Sequence, residues 1–184
     1  MRSPNFVESL ESRRPCAATL SGSGVLTIDG TSSADNITVR NHVPIDINVD
    51  VDINGATSSF ARSNIKLVVV NGLGGNDTID LRVLAVTSRV YGGTGNDVIY
   101  GSPAADRISG QDGNDWVNAG GGNDSVYGNA GADRLFGGDG KDYIFGGAGK
   151  DLIRGQGQTD RITATKAIDD LRSNKGDIIT NIIE

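Results

Sequence analysis

The chain has 184 residues, a net charge of −6, 27 glycines, and a single cysteine and a single histidine. This length fits one elongated domain, and the acidic balance argues against nucleic acid as a partner. Cys16 alone excludes an internal disulfide and His42 alone excludes a histidine cluster; with no phosphate-binding loop or nucleophile elbow present, an enzyme is not expected.

Residues 1–17 predict a flexible, targeting-like segment. No apolar run of seven or more residues follows Met1 and Arg2, so a conventional signal peptide is not predicted. No stretch of the chain has the apolar length that a membrane-spanning segment needs.

Residues 18–91 predict irregular β-coils. Strict alternation from Ile45 to Ile53 indicates a half-buried strand, Asn54-Gly55 a turn, and residues 65–70 a more buried strand. The outward polar residues of the alternating strand either bind a cation or form a solvated face that discourages edge pairing; they are Asp46, Asn48, Asp50 and Asp52.

Residues 92–163 repeat a nine-residue pattern, of which GGTGNDVIY (92–100) is a clear copy. Glycine at positions one, two and four permits the tight backbone of a turn, and position eight is aliphatic in every copy. Six residues are expected to form a turn and three a strand, with position eight inward and positions seven and nine outward. Two copies then complete one coil. Sheet one takes the strands of Ile99, Val117, Leu135 and Ile153, and sheet two those of Ile108, Val126, Ile144 and Ile162.

Position six of every copy is aspartate, and aspartates eighteen residues apart share one edge of the coil. Adjacent carboxylates at a coil spacing of about 4.8 Å would repel each other by about 3 kcal/mol, whereas a divalent cation between them reverses the sign. Calcium accepts carboxylate and carbonyl oxygens in loose geometry. The twenty aspartates and three glutamates fit that chemistry better than a general acidic surface. The alternative for these aspartates is a purely structural role in Asx-turns. The predicted metal ligands are Asp77, from a further copy at 72–80, with Asp97, Asp106, Asp115, Asp124, Asp133, Asp142, Asp151 and Asp160.

These repeats resemble the haemolysin-type (RTX) calcium-binding nonapeptide family. The resemblance implies an all-β, right-handed parallel β-roll that binds several calcium ions between the turns of successive coils. By position, the regular sites are Asp97/Asp115, Asp115/Asp133, Asp133/Asp151 and Asp124/Asp142. Pro103 and Gln158 depart from the motif, which leaves Asp106/Asp124 and Asp142/Asp160 irregular. A metal-independent structural or adhesive β-solenoid is the alternative function.

Residues 5–14, NFVESLESRR, resemble the N-terminal LEPR-type segment of exported proteins of planctomycete-like bacteria, through Phe6, Leu10, Glu11, Ser12 and Arg13. Together the two resemblances imply an extracellular or cell-surface protein. They name no partner beyond calcium.

Large side chains recur at the outward strand positions. Ladder packing between neighbouring coils is the favoured interpretation. The alternative is a contact surface, with weak calcium-dependent self-association through Tyr143 and Phe145 of sheet two, or a cell-surface or matrix partner.

The last predicted region, residues 164–184, covers the end of the roll. The pattern fades after Ile162. We expect one short helix over Thr163–Ser173 and a final strand over Asp177–Ile183.

Overall fold

A computed structural model describes residues 16–41, 48–165, 170–172 and 176–182. The chain folds as a parallel β-solenoid of two nine-stranded sheets, as predicted. Sheet two runs, in spatial order, through β1 (Ala17–Leu20), β2 (Val25–Asp29), β6 (Leu67–Gly74), β8 (Ser88–Thr94), β10 (Arg107–Asp112), β12 (Ser125–Ala130), β14 (Tyr143–Ala148), β16 (Arg161–Thr165) and β18 (Ile178–Ile182).

Sheet one faces it across the core. Its strands, again in spatial order, are β17 (Asp170–Arg172), β15 (Leu152–Arg154), β13 (Arg134–Asp139), β11 (Trp116–Gly121), β9 (Val98–Tyr100), β7 (Thr78–Asp80), β3 (Asn36–Asn41), β4 (Asn48–Ile53) and β5 (Ala56–Ala61). A short 3-10 turn covers Arg62–Asn64.

The core is a double column of position-eight side chains. Val117 pairs with Ile99 and Leu135 on neighbouring strands of sheet one, and Val126 pairs with Ile108 and Ile144 on sheet two. All of these side chains are 0% exposed. Both the predicted division of strands between the sheets and the inward position are confirmed.

The strands are longer than predicted, because several continue for three residues past position nine. β12, for example, includes Gly128, Asn129 and Ala130, which begin the next nonapeptide. The prediction of six turn residues and three strand residues was therefore wrong. Glycine lets the backbone bend within a strand without leaving the ladder, as in a β-bulge, so only the middle of each repeat forms the turn.

The N-terminal coils are stacked on the same two sheets but include antiparallel strands. β3, β4 and β5 form an antiparallel meander, and β1 pairs antiparallel with β2. The predicted Asn54-Gly55 turn is present, with φ of 54° and 85°, which suits Asn and Gly. The first three residues of the alternating strand, 45–47, lie outside the described residues, and so does His42.

The C-terminal region differs from the prediction of a helix over Thr163–Ser173. Its described residues form the end of β16 and all of β17. The reason is that the solenoid register continues: Leu171 pairs with Ile153 on sheet one, so the next coil extends both sheets. The predicted final strand is confirmed as β18, which pairs parallel with β16. No helix among the described residues is long and apolar enough to cross a membrane.

Aromatic side chains form ladders on both outer faces. On sheet one, the Trp116 ring centroid lies 4.8 Å from that of Tyr100 and 5.6 Å from that of Phe136. On sheet two, Tyr127 and Tyr143 lie 6.1 Å apart, centroid to centroid. This arrangement matches the ladder interpretation of the outward residues.

Candidate metal centre

Glycine places the aspartate of each repeat inside its own turn. In six of the eight copies position four is a glycine with a positive φ, for example 123° at Gly95 and 131° at Gly113. A Cβ built on Gly113 would lie 1.7 Å from the carbonyl oxygen of Gly95 in the preceding coil. Successive turns therefore stack backbone against backbone, which only glycine allows at this position.

The aspartates of one edge are joined into a hydrogen-bonded ladder. The backbone N–H of Asp97 donates to Oδ1 of Asp115 at 2.9 Å, and the N–H of Asp115 donates to Oδ1 of Asp133 at 2.8 Å. The same bond runs from Asp77 to Asp97 at 2.8 Å and from Asp133 to Asp151 at 2.9 Å. Each aspartate thus caps the turn of the coil before it.

The ladder on this edge extends beyond the predicted ligands. The N–H of Asp35 donates to Oδ1 of Asp77 at 2.8 Å, although the two residues are 42 positions apart. The inserted β4–β5 hairpin separates them in sequence. In the sequence, residues 30–38, GTSSADNIT, are a weak echo of the repeat with Asp35 at position six.

A second ladder follows the opposite edge. It links Asp106 to Asp124 at 2.8 Å, Asp124 to Asp142 at 2.9 Å and Asp142 to Asp160 at 2.9 Å, from N–H to Oδ1. The two ends of this ladder were missed from the sequence. Ser88 begins it, donating its N–H to Asp106 at 2.7 Å, and Asp177 ends it, accepting from the N–H of Asp160 at 3.0 Å. The eighteen-residue spacing could have identified Ser88, whereas Asp177 is displaced from that period by one residue.

The second carboxylate oxygen of most ladder aspartates has no hydrogen-bond donor. It is buried and unpartnered in seven residues, namely Asp77, Asp97, Asp115, Asp124, Asp133, Asp142 and Asp160. An ionised carboxylate in such a place is costly unless a cation or donor compensates it. The side chains themselves are 1–3% exposed, so water does not supply the missing interaction.

Burial raises the pKa of these carboxyl groups above the ordinary value of 3.8. The pKa reaches about 7 in Asp77 and Asp133 and about 8 in Asp124. It reaches about 6 in Asp115 and Asp142. Desolvation is the main cause, neighbouring carboxylates add to it, and the N–H donated to each carboxylate opposes it. Without a cation, the carboxyls of Asp77, Asp124 and Asp133 would therefore be substantially protonated around neutral pH.

Two ladder members are satisfied without a cation. Oδ2 of Asp106 accepts the backbone N–H of Ser102 at 2.7 Å. Oδ2 of Asp35 accepts the N–H and the hydroxyl of Thr31, while its Oδ1 accepts the side-chain amide of Asn54 at 2.6 Å. Both residues lie at or near the N-terminal end of a ladder. Local N–H and hydroxyl groups there donate to Oδ2, the oxygen that has no donor in the central repeats.

The open oxygens fit calcium. Except in the Asp124 copy, which begins with Ala119, each lies over the first glycine of its own repeat. A Cβ on Gly110 would be 2.1 Å from Oδ2 of Asp115, and one on Gly128 would be 2.3 Å from Oδ2 of Asp133. The missing side chain leaves a cradle lined by carboxylate and carbonyl oxygens, the donors that calcium prefers. No point among the described residues gathers three or more His, Cys, Asp or Glu side chains, so backbone carbonyls would have to complete any coordination shell.

The acidic strand β4 has protein partners for its carboxylates. Oδ2 of Asp52 lies 3.4 Å from Nη2 of Arg40 and accepts the hydroxyl of Thr57 at 2.9 Å. Asp50 accepts the hydroxyl of Ser59. These contacts agree with the interpretation as a solvated outer face. Asp46 lies outside the described residues.

Comparison with known proteins identifies the repeats. The family model for the RTX calcium-binding nonapeptide repeat, which represents four copies, matches residues 91–126 and again residues 127–162. No curated protein and no solved structure matched the chain. Repeats of this family bind several calcium ions in a β-roll. The family match and the solenoid architecture together identify residues 91–162 as RTX-type calcium-binding nonapeptide repeats.

Proposed function

We propose that the chain is a non-catalytic structural module of the cell exterior that folds when its turns bind calcium. The observation that carries this proposal is the set of seven buried, unpartnered carboxylate oxygens. A metal-free roll must either desolvate these charges or protonate them. Calcium bound to the folded state alone would remove that cost, so binding free energy would become folding free energy.

The proposed ligands are the ladder aspartates of the two edges. Asp97, Asp115 and Asp133 would hold calcium on one edge, and Asp124 and Asp142 on the other, with Asp77, Asp151 and Asp160 at or near the ends. Asp106 would contribute least, because Ser102 already donates to its Oδ2. Calcium supplies the counter-charge; the chain holds the carboxylates in place through the N–H bonds of the ladders.

A structural role suits the ladders better than catalysis does. Close pairs of carboxyls with raised pKa values resemble acid–base machinery, but these are 1–4% exposed and lie inside turns that stack in direct contact. A substrate would have to separate the coils to reach them. The repeat family itself is a structural calcium-binding family.

At an extracellular or cell-surface location, the calcium concentration of the compartment would control whether the repeats fold. Calcium sites of extracellular modules typically have dissociation constants of about 10⁻⁴ to 10⁻³ M. Sites in that range would leave the regular repeats of residues 92–163 unfolded inside the cell and folded outside. The resemblance of residues 5–14 to an export-associated segment supports the same location.

Calcium titration followed by far-UV circular dichroism and calorimetry tests the proposal. Asp133→Ala should lower the calcium stoichiometry and raise the calcium concentration needed for folding. Asp139→Ala is the matched control, because Asp139 is an exposed aspartate on the same strand-turn unit, outside the ladder. A spectrum and melting temperature that EGTA leaves unchanged would instead support the metal-independent solenoid.

A further inference from the structure

The outer face of sheet two carries positive charge on an acidic protein. We define this face by the outward residues of β8, β10, β12, β14 and β16. It contains Arg89, Arg107 and Arg161, all exposed. The only acidic residue on these five strands is Asp112, at the end of β10 where the chain enters a turn. The chain as a whole has a net charge of −6, so the charge of this face is opposite in sign to the net charge.

The arginines of this face have no acidic partner among the described residues. The guanidinium of Arg107 lies 4.6 Å from the ring centroid of Tyr127 and donates to its hydroxyl at 3.2 Å. That of Arg161 lies 5.9 Å from the ring of Tyr143. By contrast, Arg82 beside sheet one forms a 2.6 Å ion pair with Asp80. The aromatic rings hold Arg107 and Arg161 in place and leave most of their N–H donors available to a ligand.

These groups follow the solenoid axis in two neighbouring rows. Arg107, Tyr143 and Arg161 share one row of the register, and Tyr127 lies in the next row, opposite Ser109 and Phe145. Arg107, Tyr127, Tyr143 and Arg161 occupy four successive strands of the sheet, so the two guanidinium groups bracket two half-buried rings over about 14 Å, three strand spacings. Guanidinium groups recognise carboxylate and other oxyanions, and partly exposed aromatic rings offer faces for the apolar side of a sugar. A linear, negatively charged sugar polymer meets both requirements.

We propose that the outer face of sheet two binds an anionic polysaccharide, a linear sugar polymer that bears carboxylate or sulfate groups. The proposal deepens the proposed function, since it names the kind of partner that an extracellular module would meet. A second copy of this chain fits the face less well, because two such faces in symmetric contact would bring their arginines together without acids to compensate. Calcium would strengthen binding by ordering the strands and neutralising the Asp124 and Asp142 carboxylates just before them.

The test uses the full chain in calcium, with hyaluronate as the carboxylated probe, dextran sulfate as the sulfated probe and uncharged dextran as the neutral control. Binding is measured by affinity electrophoresis and calorimetry at several salt concentrations. We expect binding to at least one charged polymer, none to dextran, and at least a tenfold loss in the double variant Arg107→Ser/Arg161→Ser. The double variant Arg134→Ser/Lys150→Ser removes the same charge from exposed positions elsewhere and should bind within about twofold of the parent chain.

Equal losses in the two double variants would overturn the proposal, since net charge alone would then explain binding. So would an absence of binding to both charged polymers, or tighter binding of single-stranded RNA, which is added as a further charged probe. Sedimentation of the calcium-loaded chain alone, if it showed a dimer that Arg107→Ser/Arg161→Ser disrupts, would assign the face to a second copy instead. Circular dichroism of each variant with and without calcium reports separately on calcium-dependent folding, so failure of the proposed function is distinguishable from failure of this inference.

Discussion

The backbone N–H of Asp97 donates to Oδ1 of Asp115 at 2.9 Å, while Oδ2 of the same Asp115 carboxylate is buried and has no donor. One oxygen therefore fastens the preceding coil, and the other is left for a ligand. The two tasks of this side chain can be separated by substitution.

Replacing Asp115 separates the hydrogen bond from the charge. Asp115→Asn keeps an oxygen for the Asp97 N–H and removes the buried charge, so it should stabilise the metal-free roll while lowering calcium stoichiometry. Asp115→Ala leaves that N–H unsatisfied and should destabilise the roll by about 1–3 kcal/mol in either condition. Folding in EDTA can be driven by an osmolyte, whose midpoint concentration gives the comparison. Equal midpoints for the two variants would contradict the division of tasks.

The first carboxylate of the second ladder should be dispensable for calcium. Because Ser102 and Ser88 donate to Asp106, Asp106→Ala should weaken folding with and without calcium but leave stoichiometry nearly unchanged. Asp124→Ala, one coil further along, removes an open oxygen and should lower stoichiometry. Calorimetry of the two variants at saturating calcium makes the comparison. A larger loss of stoichiometry from Asp106→Ala than from Asp124→Ala would refute this view of the ladder's end.

The glycine at the first repeat position should matter for the metal more than for backbone conformation. Gly110 lacks a positive φ, yet a Cβ there would lie 2.1 Å from Oδ2 of Asp115. Gly110→Ala should therefore displace the carboxylate and weaken calcium-dependent folding. Gly22→Ala is the control, since a Cβ on Gly22 meets nothing within 4 Å. An unchanged calcium midpoint for Gly110→Ala would show that the cradle is not used.

The sequence predicted the architecture because its period is strict. Eighteen residues per coil place Val117 over Ile99, and nothing in the tertiary structure overrides that register. Prediction from the sequence failed where the backbone, or a residue other than the expected aspartate, continues the repeat. Ser88 occupies an aspartate position with no carboxylate, and Asp177 is one residue out of period. The helix predicted near Thr163 was wrong because Leu171 pairs with Ile153 and extends sheet one, a continuation visible only when the strands are paired.

Acidification should stabilise the metal-free roll. Five ladder carboxyls have a pKa near 3.8 when unfolded but of about 6 to 8 when folded, namely those of Asp77, Asp115, Asp124, Asp133 and Asp142. A raised folded-state pKa gives stability that is fully present below the unfolded value and is lost as the pH rises through 6 to 8. In EDTA, the β-sheet signal should therefore be stronger at about pH 5 than at about pH 9. Excess calcium should abolish or reverse this trend, because it binds the ionised form; a metal-free roll that is more stable at the higher pH would disprove the account.

The N-terminal coils should fold without calcium. Fourteen of the twenty-four buried hydrophobic residues lie before residue 92, and of the ladder carboxylates only Asp35 and Asp77 lie there. Asp35 is satisfied by Thr31 and Asn54, and Ser88 carries no charge. Hydrogen exchange of the full chain in EDTA should therefore protect strands β2 to β6 at least about tenfold more than β10 to β15, and calcium should raise protection mainly in the second group. Uniform protection, or uniform loss of protection, would show that the solenoid folds as one unit. The N-terminal coils would then not fold independently of the calcium-binding repeats.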